Sequence, residues 1–393
     1  MKIEDILGNK CTGCSSCYNI CPKDCISMEY NYEGFLYPQT DLDKCIECRL
    51  CEKVCPVIQS KEEKIAEQNI EEQKSFAGWS LNNEERSNSS SGGFFSVIAK
   101  YILENNGYVF GAGINENYEV VHMGINNIKD LRKLQGSKYV QSKIGNVYKQ
   151  VKEKLQLNMP VLFIGTPCQV AGLKGYLLKE YENLYLIDVI CHGVPSVKLF
   201  KKYIYYQSKK YSSEIKYNSI NFRNKKYGWN NYSMSIDFEN KNKYICNNKE
   251  DAFLKLFLSD AALRLSCYKC KNKSMNKYSD LTLADYWGIE ELDNEFFNLS
   301  ENKGITTIIV HSDKGDYILD KVKENSMLKE VNFSDVIKYN PSYYRSPDMH
   351  RERKDFYNKI DKYDIEKLLK KTIEKNVLFK IKDKILYFFR GNI

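Results

Sequence analysis

The sequence has no apolar run of about 18 residues, the length a helix needs to cross a bilayer. Its opening stretch, Met1 to Lys10, lacks the apolar core of a secretory signal. No basic motif is interleaved with base-stacking aromatics, and no nuclease or helicase motif is present. These absences argue against a membrane span, against export and against nucleic acid as a partner. A cytoplasmic protein is predicted.

Cysteine, by contrast, is plentiful. Fourteen cysteines in an exported chain would suggest disulfides, whereas in a reducing cytoplasm they suggest metal. At 393 residues the chain has room for two or three domains and a substantial core. The formal charge of +8 counts every cysteine as a neutral thiol. An oxidised 4Fe–4S cube with its four thiolates carries about −2, so two cubes lower the chain to about +4 and three to about +2. The basic balance therefore says little about partners. Thirty tyrosines, with abundant Asn, Lys and Ile, look like a codon bias.

Two strings in the first sixty residues share one spacing. Cys11, Cys14, Cys17 and Cys21-Pro22 read C-x2-C-x2-C-x3-C-P, and Cys45, Cys48, Cys51 and Cys55-Pro56 repeat it. Three thiolates two residues apart wrap one cubane from a turning loop, while the fourth ligates the neighbouring cluster. The first 4Fe–4S cluster is thus expected on Cys11, Cys14, Cys17 and Cys55, and the second on Cys45, Cys48, Cys51 and Cys21. Zinc motifs pair cysteines two and two, which disfavours zinc here. The module resembles a bacterial-type ferredoxin and would move electrons singly. Ile26 to Asp43 reads as a hairpin turning near Glu33-Gly34, and Cys25 reads as a small buried side chain.

Residues 61–75 form a charged linker with a few large apolar residues. Phe76 to Trp79 is a strand, and Ser89-Ser90-Ser91-Gly92-Gly93 opens an amphipathic helix. A small-residue loop feeding a helix N-terminus suits a phosphate, although serine-rich N-caps are common. Strands are predicted at Tyr108 to Ala112 and Val120 to Ile125, with helices at Ile128 to Leu134 and Ile144 to Leu157. Pro160 to Gly165 is a buried-type strand, Thr166-Pro167 a helix start, and Leu184 to Ile190 a second buried strand. This is a β-α-β unit, whose parallel strands end on one sheet edge. Cys168 and Cys191 thus arrive together where such sheets bind ligands. Further strands at Ile220 to Arg223, Tyr232 to Phe238, Leu281 to Ala284 and Ile305 to Val310 surround a helix at Asp251 to Leu263 and the pair Cys267-x2-Cys270. The remainder reads as helical and basic.

The fold class is α/β, or α+β taken over the whole chain: a ferredoxin-type module carrying two 4Fe–4S clusters, then a mixed, partly parallel sheet flanked by helices. The expected divisions are residues 1–60, linker 61–75, α/β domain 76–182, second domain 183–340 and basic helical tail 341–393. A third cluster on Cys168, Cys191, Cys267 and Cys270 is predicted, because a lone C-x2-C needs two more thiolates to complete a cube. Zinc and unconnected buried cysteines are the alternatives.

Several phrases occur in order: Ser91-Gly92-Gly93, Gly136-Ser137-Lys138-Tyr139, Gly165-Thr166-Pro167-Cys168-Gln169, Cys191-His192-Gly193-Val194-Pro195-Ser196, Phe222-Arg223, Tyr227-Gly228-Trp229, Cys267-Tyr268-Lys269-Cys270, and Ser279 to Gly288. The ordered set resembles the coenzyme F420 hydrogenase/dehydrogenase beta-subunit family over roughly Phe76 to Val310, with the ferredoxin module fused in front. Ala284 stands where the family pattern leads us to expect glycine. The resemblance implies a flavoprotein that binds FAD and passes electrons between a deazaflavin coenzyme of the F420 type, or another hydride-carrying substrate, and iron–sulfur clusters. Many bacterial members are encoded beside polysaccharide-synthesis enzymes. It also implies phosphate contacts at Ser91, Gly92 and Gly93, and makes Lys138 and Arg223 candidates for the pyrophosphate or an acidic substrate. Solvated surface cations are the bland reading of both.

The function expected is therefore a flavin-dependent iron–sulfur oxidoreductase, working with a redox partner protein or a small hydride donor or acceptor. The alternative is an electron-transfer or docking subunit without chemistry of its own. Asp285 and His192 are the candidate acid–base groups; a turn cap and a structural histidine are the competing roles. Over Lys375 to Ile393, Leu378, Ile381, Ile385, Phe388 and Phe389 share a helical face opposite lysines. That pattern fits packing on the chain's own domain, a membrane surface or a partner.

Overall fold

The computed structural model describes residues 2–60, 72–212, 214–273, 275 and 277–374. The amphipathic helix expected over Lys375 to Ile393, and most of the linker, lie outside the described residues.

The strands, in chain order, are β1 (Ile26–Tyr30), β2 (Leu36–Thr40), β3 (Ser75–Ser80), β4 (Tyr108–Ile114), β5 (Val120–Ile125), β6 (Val161–Gly165), β7 (Leu184–Val189), β8 (Tyr217–Asn224), β9 (Ser233–Phe238), β10 (Lys243–Asn247), β11 (Leu281–Asp285), β12 (Thr306–Val310) and β13 (Ser326–Val331). The longer helices are α1 (Phe94–Glu104), α2 (Val147–Gln156), α3 (Pro167–Leu177), α4 (Val197–Tyr211), α5 (Ala252–Leu258) and α6 (Asp313–Val322).

Eight strands form one sheet in the order β13-β3-β12-β11-β7-β6-β4-β5. Its centre, β11-β7-β6-β4, is parallel, and the strands outside it run antiparallel. The centre is buried on both faces because its strands carry apolar residues in both phases of the two-residue repeat. Val109, Leu162 and Ile187 pack under α1 and α6, while Phe110, Val161 and Phe163 pack under α2 and α3. Thr166 and Gln169 form a reciprocal capping box with Pro167 at the first helical position, which fixes where α3 begins. The expected β-α-β unit is present, with β6 and β7 parallel.

Two strands were not expected. β13 sits in the segment read as helical; its pattern is mostly exposed, as suits an edge strand. β10 joins β9 and β8 in a separate three-stranded antiparallel sheet, and only its pairing with β9 identifies it as a strand. The helix expected over Asp251 to Leu263 stops at Leu258. Of the expected tail, Phe356, Tyr357, Ile360, Ile365 and Leu368 are buried in the core beneath the three-stranded sheet.

The N-terminal module is a β1–β2 hairpin with two cysteine loops. Its internal repeat is visible in the backbone: Ser15 and Arg49, each following the second cysteine of its run, are both left-handed (φ 64° and 58°) before a short helix. The module is tied firmly to the body. Glu33 and Arg353 form a buried bidentate pair at 2.9 and 2.6 Å. Arg264, fully buried, donates to the Cys11 and Leu36 carbonyls at 2.8 Å each. Gln141 Nε2 donates to the Thr12 carbonyl, and Asn19 Nδ2 to that of Gly145.

Candidate electron-transfer site

A cavity of about 720 Å³ opens at the carboxyl edge of the parallel strands. Its walls include Ile164–Gln169 after β6, Val189–Val194 after β7 and Thr282–Asp285 of β11. Ser89–Ser91, Gly93 and Gly136–Tyr139 also line it, as do Cys168, Cys191, Cys267 and Cys270. Nearly every phrase singled out in the sequence thus meets in one place, because parallel strands deliver their following loops to a common edge.

The four thiols are mutual neighbours: every pair among Cys168, Cys191, Cys267 and Cys270 interacts electrostatically. They are partly accessible only because they face the cavity. Burial, then Cys270, pushes Cys168 up to about 12 and Cys267 to about 11. Cys191 is also raised, by burial and then by Cys267. Without a compensating positive group these thiols hold their protons, so the set suits a cationic metal centre. Three cations approach it. Lys273 Nζ donates to the Cys191 carbonyl at 2.7 Å, Arg264 acts on Cys168 and Cys267, and Lys277 lies close to Cys270 and Cys191.

In the N-terminal module the structure brings Cys55 beside Cys11, Cys14 and Cys17, as crossed ligation requires. Cys21 lies with Cys45 and Cys51 in the same small core. Cys25 is buried there too, its sulfur 3.2 Å from that of Cys21. Cys14 is also a neighbour of Cys168, which adds to its upward shift. Cys14 packs against α3 one turn beyond Cys168: a Cβ on Gly172 would meet Cys14 Cβ at 2.9 Å and Sγ at 3.1 Å.

Residues 10–58 match the 4Fe–4S dicluster domain. Residues 158–336 match the C-terminal domain of the coenzyme F420 hydrogenase/dehydrogenase beta subunit. That segment belongs to the beta-subunit family. Together the two domains make the chain an iron–sulfur electron-transfer protein of an oxidoreductase family. No curated relative matches the chain. Among solved structures, a chain of the F420-reducing NiFe hydrogenase complex from Methanosarcina barkeri is similar, at 13% identity and a TM-score of 0.49, over 75% of this chain and 95% of that one. Among the described residues no helix is long and apolar enough to cross a membrane.

Several of the expected site residues have partners within the protein itself. Arg223 is neither a solvated cation nor directed at an open anion site. It pairs bidentately with Asp285 at 2.8 and 3.0 Å, lies over the Tyr232 and Trp287 rings and reaches the Tyr139 hydroxyl. Burial opposes its charge, yet Asp285 holds the guanidinium pKa above its ordinary value. Asp285 also accepts from Trp229 Nε1 at 2.5 Å, so it is an anchor at the cavity wall. His192 Nε2 lies 2.5 Å from Asp260, which orients its ring.

Lys138 donates to the carbonyls of Lys133, Leu134 and Gln135, closing the end of a short helix. Gly92 is absent from the cavity lining. Its N–H donates to Thr306 Oγ1, and a Cβ there would meet the Gly78 carbonyl at 2.4 Å, so the glycine serves strand packing. Ser91, Gly93 and the first helical residues Phe94 and Phe95 do line the cavity.

Sequence reasoning missed Arg264, Lys273 and Lys277. Their only signal is closeness to Cys267 and Cys270, which is faint in a chain with 59 lysines and arginines. It also missed five buried polar atoms in cavity-lining residues: Thr12 Oγ1, Arg223 Nε, Asn248 Oδ1, Asn272 Nδ2 and Tyr343 OH have no hydrogen-bond partner. Each of these atoms has almost no accessible surface, so they lie behind the cavity wall and do not face the open space.

Proposed function

We propose that the chain is a flavin-dependent oxidoreductase. It exchanges a hydride with a small carrier, a deazaflavin or another hydride-bearing substrate, and passes the electrons on through iron–sulfur clusters. The observation that carries this reading is the meeting of four neighbouring thiols and a helix N-terminus in one cavity beside the first ferredoxin run. FAD would suit that cavity by its mostly apolar lining, against which a flat ring system can pack, and by the N–H groups of Phe94 and Phe95, which precede the first bonds of α1. When bound, a flavin exchanges two electrons as a hydride and releases them singly. Ser89–Ser91 and Gly93 would hold the phosphates, while Arg223 and Asp285 keep the neighbouring wall rigid.

The third cluster is assigned to Cys168, Cys191, Cys267 and Cys270, with Arg264, Lys273 and Lys277 offsetting its negative charge. Zinc would need four thiolates at about 2.3 Å from one centre. Iron and zinc quantified in the purified protein distinguish the two. Cys14 and Cys168 are electrostatic neighbours, so single electrons would pass between the cavity and the first ferredoxin cluster across the start of α3.

The test is an anaerobic ultraviolet–visible spectrum with iron and flavin quantified. Iron near twelve atoms per chain supports three cubes and near eight only two, at about four iron atoms per cube. A Cys267→Ser protein that keeps all its iron overturns the third cluster, and purified protein with no flavin overturns the flavin.

A further inference from the structure

The two cysteine runs face opposite ways. Cys11, Cys14, Cys17 and Cys55 are all buried, at 5–8% exposure, under α3 and the Arg264 side chain. In the second run Cys45 and Cys51 are half-buried and Cys48 is exposed. Around Cys48, two large apolar side chains stand in solvent: Leu42 is 53% exposed and Ile46 57%. Isolated surface apolar residues are ordinary. Two of them beside an exposed cluster ligand make a small patch where a partner's cofactor can come close.

The charge of the patch selects the partner. From Asp41 to Cys51 the loop carries Asp41, Asp43 and Glu47 against Lys44 and Arg49. Three carboxylates against two cations leave the loop at −1, with Lys44 2.9 Å from Asp41 and Arg49 3.9 Å from Glu52. A bound four-thiolate cube adds about −2. The face is therefore locally acidic on a chain whose formal charge is +8.

We propose that the loop from Asp41 to Cys51 is the docking surface for a small one-electron carrier protein with a basic rim around its exposed cofactor edge. Leu42 and Ile46 form the apolar centre, and electrons cross at Cys48. Such a contact belongs at the small, transient end of protein interfaces, with steering by opposite charge setting the on-rate. The inference rests on the two ferredoxin clusters and on neither the flavin nor the third cluster, so it goes beyond the function proposed above.

Full-length protein, reduced with dithionite and desalted without oxygen, is mixed in a stopped-flow instrument with a basic cytochrome c, with an acidic flavodoxin, or with benzoquinone as a small neutral oxidant. Basic cytochrome c should be reduced faster than flavodoxin, and raising the salt should slow it. Leu42→Lys, which lies outside the ligand run, and Ile46→Lys should each slow its reduction at least tenfold. Iron content and benzoquinone reduction should stay unchanged in both. Redox-silent zinc-substituted cytochrome c should show the same weakening by titration calorimetry. Unchanged rates and binding in Leu42→Lys overturn the surface, and faster reduction of the acidic carrier overturns the charge assignment. Neither outcome bears on hydride chemistry at the cavity, which the iron and flavin analysis reads separately.

Discussion

The two halves of the N-terminal module share ligand spacing and backbone conformation but not surroundings. The first run is sealed by α3, Arg264 and Gln141, whereas the second presents Cys48 to solvent. A cysteine spacing decides what can be bound. What packs over it decides where electrons enter and leave, because access and local charge come from distant parts of the chain.

The comparison breaks most sharply at Gly172. Its Cβ position already lies 2.9 Å from Cys14 Cβ, so Gly172→Leu has no room without moving the first cluster's loop. The expected outcome is loss of about four iron atoms per chain by colorimetric iron assay, one cube's worth. Ile46→Phe, a similar enlargement beside the exposed run, should keep them all. Full iron in Gly172→Leu would mean that the seal over the first run is loose.

A second contrast sets two ion pairs against each other. Glu33 and Arg353 are 3% and 4% exposed, and removing one partner leaves the other charge buried. Glu33→Gln should lower unfolding free energy in urea by about 3–5 kcal/mol. Lys44 and Asp41 are 67% and 40% exposed, and Asp41→Asn should give no measurable change.

The smallest effect is a pH dependence on the buried side. His122, stacked on Phe163, lies next to the Ser142–Gln169 network that backs α3. Its Nε2 faces the Ile164 carbonyl, so this nitrogen is assigned the proton and Nδ1 accepts from Ser142. Burial, with Lys138 adding to it, lowers its pKa from 6.5 to about 4. The unfolded chain takes up a proton as pH falls through 6.5, while the folded chain does so only near 4. Stability is therefore lost as pH drops across that window, by up to about 3 kcal/mol from this group. His122→Asn should flatten this part of the urea-denaturation profile. An unchanged slope would show that the histidine ionises freely in the fold.

Much of the fold could be read directly from sequence. The apolar runs at Val161–Gly165 and Leu184–Val189, separated by Thr166-Pro167, specify a β-α-β unit through local preferences alone. The convergence of Cys168 and Cys191 follows from that topology. β13 escaped because an exposed edge strand has no apolar alternation to show, and β10 because its pairing with β9 is what makes it a strand. Gly92 was expected at a phosphate from its small-residue loop, and Lys138 at a pyrophosphate or acidic substrate from the family resemblance, whereas their partners, Thr306 and a helix end, come from the folded arrangement. Arg223 and Asp285, 62 residues apart, show nothing of their pairing until β8 and β11 are assembled.

By itself the sequence determined the two cysteine runs of the dicluster domain and the sheet edge at which the cavity opens. Metal ligation and strand order depend on short spacings and local periodicity. Only the tertiary structure decided that Cys14 packs against α3 while Cys48 meets solvent. It also committed Arg223 to Asp285 and placed Arg264 between the two cysteine sites. Each of these depends on burial and charge pairing between residues far apart in the chain, and such long-range contacts leave no local pattern in the sequence.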